Sequence, residues 1–115
     1  MTPGSIVVVD WRDALPESGE PSKQRPAIVI GRGDLFHQGF GYLLVVPMTS
    51  DAAMCISEAS LEIAPTKENH CKKRCYALSW NVQTIPKRRA RATAAHVTVA
   101  QLDEIRDQIA RLVER

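Results

Sequence analysis

The feature that most constrains the fold is a short apolar run, Ala27–Ile30, that directly follows a proline and a basic segment. Valine and isoleucine in such a run favour a buried, pleated strand. Because Pro26 has no backbone N–H, it belongs at the first residue of that strand or just before it. Arg25 is therefore predicted at the entrance of a core strand. There its guanidinium can bind a phosphate or pair with a loop carboxylate such as Glu17 or Glu20.

A second apolar run, Leu43–Met48, contains Pro47 near its end and is followed by two hydroxyl residues, Thr49 and Ser50. The run is apolar at both odd and even positions, as expected of a central strand that is buried on both faces. Hydroxyl groups at a strand end often bond only to their own turn. The residues alone leave open whether Thr49 has that local role or a functional one.

Together these two segments resemble the PemK/MazF family of toxin endoribonucleases. In that family the second strand opens with Arg-Pro-Ala followed by aliphatic residues, and the third strand ends in Val-Pro-x-Thr-Ser. The corresponding segments here are Arg25-Pro26-Ala27-Ile28-Val29-Ile30 and Val46-Pro47-Met48-Thr49-Ser50. The preceding Ser22-Lys23-Gln24-Arg25-Pro26 is similar to a divergent branch of the family that has Ser-Lys-x-Arg-Pro.

The chain is predicted to be one domain over residues 1–115, since this length supports one modest core. Further strands are predicted at 5–9, 59–64 and 75–85, and residues 87–95 are predicted to be a basic connector. Thr98 and Gln101 have the spacing of a helix capping box. Apolar residues then recur at helical steps of three and four. The resemblance implies a mainly β fold with α (α+β): a small SH3-like, mostly antiparallel β-barrel with a C-terminal amphipathic helix.

Composition excludes few classes by itself. The net charge of +2 is too small to indicate a nucleic-acid partner, but the basic runs 72–74 and 87–89 lie on either side of one apolar segment. No apolar run approaches the ~20 residues that span a bilayer, so no membrane association is predicted and a cytoplasmic location is expected. Three cysteines do not indicate a disulfide framework. No metal site or cofactor is predicted.

The resemblance implies a toxin of a type II toxin–antitoxin system that cleaves single-stranded RNA without a metal, by attack of a ribose 2′-hydroxyl on the adjacent phosphate. It implies Arg25 and Thr49 as catalytic residues. It further implies a homodimer with the site in the groove along its interface, and a cognate antitoxin that occupies this groove. The residues expected to bind RNA are Lys23, Ser50, Lys72, Lys73, Trp80, Gln83, Lys87 and Arg88.

The sequence departs from the family pattern at two places. Trp80 falls at or near the position where several relatives carry an acidic catalytic residue, and a tryptophan cannot transfer protons in that role. Asp10, Glu20 and His37 are the substitutes available. The loop 68–73 has His-Cys where the family often has Gly-Leu in Glu-Asn-Gly-Leu-Lys-Lys. An alternative is therefore a catalytically weakened nucleic-acid- or protein-binding module of the same fold, including a gyrase-poison-like toxin. A generic SH3-like peptide-binding domain is a third hypothesis.

Overall fold

The computed structural model of the protein describes residues 1–11 and 24–115. Within these residues the chain forms seven β-strands, three short 3₁₀ turns and one α-helix. The strands are β1 (Ser5–Asp10), β2 (Gln24–Val29), β3 (Tyr42–Thr49), β4 (Leu61–Ile63), β5 (Cys75–Ala77), β6 (Gln83–Pro86) and β7 (Ala90–His96). The helix α1 spans Val99–Arg111.

All the strand pairs are antiparallel, and the sheet runs in the order β4-β5-β3-β2-β1-β7. The long strand β3 pairs with β2 along one edge, while β6 and β5 pair with successive parts of its other edge. A 3₁₀ turn at Ser79–Asn81 separates β5 from β6. The mostly antiparallel sheet and the C-terminal helix confirm the predicted fold class. The described strands form an open path, however, so the sheet is not closed into a barrel.

The central strands are buried on both faces, which explains the continuous apolar runs Ala27–Val29 in β2 and Leu43–Met48 in β3. Ile28 and Val46 belong to a core cluster that also contains Leu102 and Ile105 of the helix. The alternate residues of the same strands, including Val45, belong to a second cluster on the opposite face of the sheet. Burial on both faces is what a continuous apolar run requires, because every side chain then leaves water.

The helix begins with the predicted capping box, which the structure confirms. The Thr98 hydroxyl accepts a hydrogen bond from the Gln101 backbone N–H, and the Gln101 side chain accepts one from the Thr98 N–H. The buried side chain of Gln108 joins the helix to the 3₁₀ turn Ser79–Asn81 and to the residue before β4. Its Oε1 accepts a hydrogen bond from the Ser79 hydroxyl at 2.6 Å, and its Nε2 donates to the Ser60 carbonyl at 2.9 Å. A buried amide with both ends bonded specifies one orientation of the helix.

The prediction of a basic connector at residues 87–95 was wrong. Only Lys87–Arg89 form a turn, and Ala90–His96 form the strand β7, which pairs with β1. The register shifts between Ser5 and Val7, where Thr93 donates its hydroxyl hydrogen bond to the Ile6 carbonyl. Four of the seven residues of this strand are alanines, so the apolar pattern that marks the other strands is weak here. None of the described helices is long and apolar enough to span a membrane.

Candidate active site

Arg25 and Thr49 lie at the adjacent ends of two paired strands. Ala27 of β2 is paired with Pro47 of β3. Continuing this antiparallel register by two residues places Arg25 opposite Thr49, on the same face of the sheet. Arg25 is exposed and Thr49 is half-buried, so both side chains are accessible at the end of a rigid sheet. The apolar residues of β2 and β3 thus place Arg25 and Thr49 opposite each other, and a guanidinium nitrogen of Arg25 donates to the Gln24 carbonyl at 3.1 Å.

The first of two cavities at this end of the sheet has a volume of about 430 Å³. We call it the basic-loop cavity because the loop of residues 66–74 forms one side of it. Its polar lining includes Arg25, Thr49, Ser50, His70, Lys72 and Lys73. Neither lysine forms an ion pair within the described part of the chain, and no aspartate or glutamate from that part lines the cavity. A cavity lined by cations without carboxylates favours an anionic ligand.

The shape of this loop depends on the buried side chain of Asn69, which is only 4% exposed. Its Oδ1 accepts hydrogen bonds from the backbone N–H groups of Thr66 and Cys71, both at 2.9 Å. Its Nδ2 donates to the Ala64 carbonyl, also at 2.9 Å. These three bonds fix the backbone on either side of His70, which has a left-handed φ of 56°.

Sequence reasoning did not single out Asn69 or His70 as functional residues. A signal was nevertheless present, because His70 occupies the position of a family glycine in the loop pattern. Glycine adopts a left-handed conformation without strain, whereas other residues incur a cost of about 1–2 kcal/mol. Histidine is among the residue types that adopt it more often than most. This loop therefore has the left-handed turn that glycine favours, but His70 adds an imidazole side chain at that position.

Cys71 and Cys75 line the same cavity and are both free thiols. Burial, together with the neighbouring Cys75 thiol, raises the pKa of Cys71 to about 11. The Cys71 Sγ donates to the Asn69 carbonyl at 3.7 Å, and the Cys75 Sγ donates to the Lys73 carbonyl at 3.4 Å. Both side chains also pack against the core cluster that contains the helix residues. Because the thiolate is the reactive form, Cys71 is not an activated nucleophile.

The second cavity, of about 410 Å³, lies on the other side of Arg25 and Thr49, which line both cavities. We call it the Trp11 cavity. It contains one further predicted RNA-binding residue, Gln83, whose Nε2 donates to the Asn81 side chain at 3.2 Å. Trp11 and Asn81 are lining residues that sequence reasoning did not select. The predicted catalytic pair therefore separates two recesses, one basic and one containing an indole and amides.

Trp80 is not among the lining residues of either cavity. It is half-buried, and its Nε1 donates to the Met54 carbonyl at 3.0 Å. Its backbone N–H donates to the Ala59 carbonyl at 3.0 Å. These two bonds tie the 3₁₀ turn Ser79–Asn81 to the segment that follows β3. The expectation that Trp80 binds RNA stays a prediction.

The remaining predicted RNA-binding cations lie elsewhere. The Lys87 Nζ donates to the carbonyls of His37 and Gln38, at 2.9 and 3.1 Å, and lines a different cavity. Arg88 is exposed beside Arg89 and Arg91 in a small recess next to the start of β2. The structure thus brings Ser50, Lys72, Lys73 and Gln83 together with Arg25 and Thr49, but not Lys87 or Arg88.

The remaining predicted residues are Lys23, the possible carboxylate partners of Arg25 and the substitutes for the acidic catalytic residue. Lys23, expected to bind RNA, lies outside the described residues, as do Glu17 and Glu20. Asp10 lines the small recess that contains Arg88. His37 lines the cavity that contains Lys87, and its Nδ1 accepts a hydrogen bond from the Gly39 N–H at 3.2 Å. In the part of the chain that the structure describes, no three histidine, cysteine or acidic residues form a group that could hold a metal ion.

The fold and this site define a class of small, mostly antiparallel β proteins with a C-terminal helix and a basic recess at one end of the sheet. Comparison with known families gives the class its name. The family described as PemK-like, MazF-like toxin of type II toxin-antitoxin system matches residues 2–113. The chain therefore belongs to this toxin family. No curated protein matches the sequence.

Solved structures with the same fold include MazF from Deinococcus radiodurans, which is 21% identical with a TM-score of 0.72 over 100% of this chain and 97% of that chain. A MazE–MazF complex from the same organism is 20% identical, with a TM-score of 0.71 over 98% and 95%. An endoribonuclease in complex with its cognate antitoxin, from Mycobacterial species, is 14% identical, with a TM-score of 0.71 over 96% and 92%. At these identities the likeness shows the fold.

Proposed function

We propose that this protein is an endoribonuclease toxin that cleaves single-stranded RNA in the cytoplasm, and that Arg25 and Thr49 are its catalytic residues. The observation that carries the proposal is the register of β2 and β3, which places this pair at one end of the sheet between two cavities. Family membership supports the toxin function. The resemblance of the sequence to toxin endoribonucleases supports the reaction.

The proposed reaction is attack of a ribose 2′-hydroxyl on the adjacent phosphorus. The new O2′–P bond gives a 2′,3′-cyclic phosphate, while the P–O5′ bond breaks and leaves a 5′-hydroxyl. The pentacovalent transition state carries additional negative charge, and preorganised donors at that charge are often the largest catalytic contribution. Arg25 supplies a permanent cation with a planar set of donors. The Thr49 hydroxyl accepts a hydrogen bond from the Asp51 N–H at 3.1 Å, which orients it to donate to a phosphate oxygen.

The cavities indicate how the RNA chain would lie across the site. On the basic-loop side, Lys72 and Lys73 would contact phosphates on one side of the scissile bond. On the other side, the Trp11 cavity offers an indole for base stacking and the Gln83 amide for hydrogen bonding. Unpaired nucleotides suit such recesses because their bases are free to leave the stack. RNA would therefore cross the Arg25–Thr49 pair from one cavity to the other.

The experiment is to incubate the purified protein with a long single-stranded RNA in the presence of EDTA. We expect cleavage that yields 5′-hydroxyl and cyclic phosphate ends, and no cleavage of RNA whose riboses carry 2′-O-methyl groups. Arg25→Ala and Thr49→Ala should each lower the rate by about 10²–10³-fold, as the loss of one transition-state donor does. Arg32→Ala and Thr84→Ala are matched controls, because neither residue lines the two cavities.

The outcome would distinguish the candidate functions. RNA binding without cleavage would overturn the enzymatic proposal in favour of the binding module, and the absence of RNA binding would leave the gyrase-poison-like toxin or the peptide-binding domain. Equal activity of wild type and Arg25→Ala would refute the assigned site. We further propose a homodimer, to be tested by sedimentation, and a cognate antitoxin. Growth arrest on expression, relieved by the gene immediately upstream, would support the antitoxin.

A further inference from the structure

His70 is the feature of the site that the proposed reaction has not yet used. It lines the basic-loop cavity together with Arg25 and Thr49. Its left-handed backbone is fixed on both sides by the buried Asn69 side chain. Its imidazole forms no hydrogen bond with any residue in the described ranges. His70 is exposed, and an unusual backbone conformation at a polar residue that lines a cavity indicates a functional role.

The reaction needs a group that removes the proton from the 2′-hydroxyl. Among the described residues, the titratable groups that line the two cavities are Arg25, His70, Cys71, Lys72, Lys73 and Cys75. Arginine and lysine side chains carry their protons at neutral pH and are donors only. Burial keeps Cys71 a neutral thiol by raising its pKa to about 11. The Cys75 thiol donates its proton to the Lys73 carbonyl.

Glu20 lies outside the described residues, and the candidate bases that the structure does describe lie away from these cavities. His37 lines a different cavity, and its Nδ1 already accepts a hydrogen bond from the Gly39 N–H. Asp10 lines the small recess near Arg88. The Trp80 indole donates to the Met54 carbonyl and has no proton-accepting atom. An imidazole, by contrast, exchanges protons readily near neutral pH.

We propose that His70 is the general base of the cleavage reaction, an inference that rests on the proposed ribonuclease function. A ring nitrogen of neutral His70 takes the 2′-hydroxyl proton while O2′ forms its bond to phosphorus. The P–O5′ bond breaks, its electron pair goes to O5′, and O5′ takes a proton from a solvent water. Arg25 and Thr49 bind the phosphate oxygens throughout. The imidazolium then returns its proton to solvent.

The test uses two variants whose backbone suits a left-handed turn. His70→Gly and His70→Asn remove the base, and both glycine and asparagine adopt this conformation more readily than most residues. We expect RNA affinity within threefold of wild type and a cleavage rate lower by roughly 10²–10⁴-fold, as the loss of a proton-transfer group produces. Added imidazole should restore cleavage by His70→Gly. Circular dichroism and thermal melting would check that each variant is folded.

The pH profile gives a readout that a structural role would not move. The titratable groups facing His70 in its cavity are Arg25 from β2, Cys75 from β5, and Cys71, Lys72 and Lys73 from its own loop. For wild type, log(kcat/KM) should rise with pH as the general base loses its proton. For His70→Asn this rise should disappear. His96→Gln is the matched control, because His96 is exposed and outside both cavities.

The outcomes separate this inference from the function on which it rests. No cleavage by the wild type would overturn both. Cleavage by wild type, with His70→Asn within threefold of it and with the same pH profile, would overturn only the role of His70. A slow His70→Gly variant that imidazole does not accelerate, combined with a retained pH-dependent rise, would assign the loss to loop geometry and would likewise overturn the base.

Discussion

The side chain of Asn69 should hold the basic loop in the shape that forms the cavity, and Asn69→Ala should show this directly. The substitution removes an acceptor shared by two backbone N–H groups and a donor to one carbonyl. Each hydrogen bond contributes about 0.5–1.5 kcal/mol net. Water can replace the bonds to the exposed residues Ala64 and Thr66, but reaches the half-buried Cys71 less easily. We therefore expect a loss of about 2–4 kcal/mol in the free energy of unfolding, a large part of the ~5–15 kcal/mol typical of a domain.

The assay is equilibrium unfolding in urea, with RNA affinity measured under conditions in which the variant is still folded. Asn81→Ala is the matched control for the unfolding measurement alone, since Asn81 is half-buried, its side chain accepts one bond from Gln83, and it lines the Trp11 cavity. We expect this control to lose less than about 1 kcal/mol. Asn69→Ala should also bind RNA more weakly, because Lys72 and Lys73 lose their fixed position. A free energy of unfolding within about 0.5 kcal/mol of wild type would refute the reasoning.

Four further predictions follow from individual contacts. Gln108→Leu should cost about 2–4 kcal/mol in urea unfolding, because the buried Ser79 hydroxyl loses its partner, and adding Ser79→Ala should recover part of this cost. Lys87→Met should lower the melting temperature but leave RNA affinity unchanged, because its Nζ bonds two loop carbonyls. Lys72→Ala with Lys73→Ala should reduce the slope of log Kobs against log salt by about 1.4 for single-stranded RNA, and an unchanged slope would exclude them from the interface. Because the folded-state pKa of Cys71 is raised from 9.0 to about 11, its contribution to stability is complete below pH 9 and is lost as pH rises toward 11. Melting temperatures from pH 8 to 11 should therefore fall less for Cys71→Ser than for wild type.

The strands and the helix that could be predicted from the sequence are those whose buried faces produce a clear pattern of apolar residues. Strands β2 and β3 have continuous apolar runs because both faces are covered, and the helix is marked by its capping box and apolar stripe. The strand Ala90–His96 carries no such pattern, since alanine contributes little apolar surface and has low strand propensity. Its pairing with β1 decides its conformation. Such a strand is specified by tertiary contacts that local sequence does not reveal.

The candidate site was predictable only in part, for a similar reason. Arg25 and Thr49 flank apolar runs, so their position at strand ends follows from the pattern of those runs. The role of Asn69 depends on hydrogen bonds to backbone groups three to five residues before it and two residues after it, and these form only in the folded loop. The left-handed conformation of His70 does not follow from its residue type, because most histidines have negative φ, and only the glycine at this position of the family pattern indicated it. Loop geometry therefore accounts for the residues that sequence reasoning missed.

The polar residues of the proposed catalytic pair also contribute to the register that brings them together. Since β2 and β3 are apolar on both faces, alternation alone does not distinguish one register from another. A shift of two residues in one direction would place Arg25 opposite Pro47 and move its guanidinium towards the second core cluster, at a high desolvation cost. The opposite shift would place the fully buried Ala27 opposite Thr49, at the exposed strand end. The observed register is the one that keeps Arg25 exposed to water and Ala27 buried, and it places the two proposed catalytic residues opposite each other on neighbouring strands.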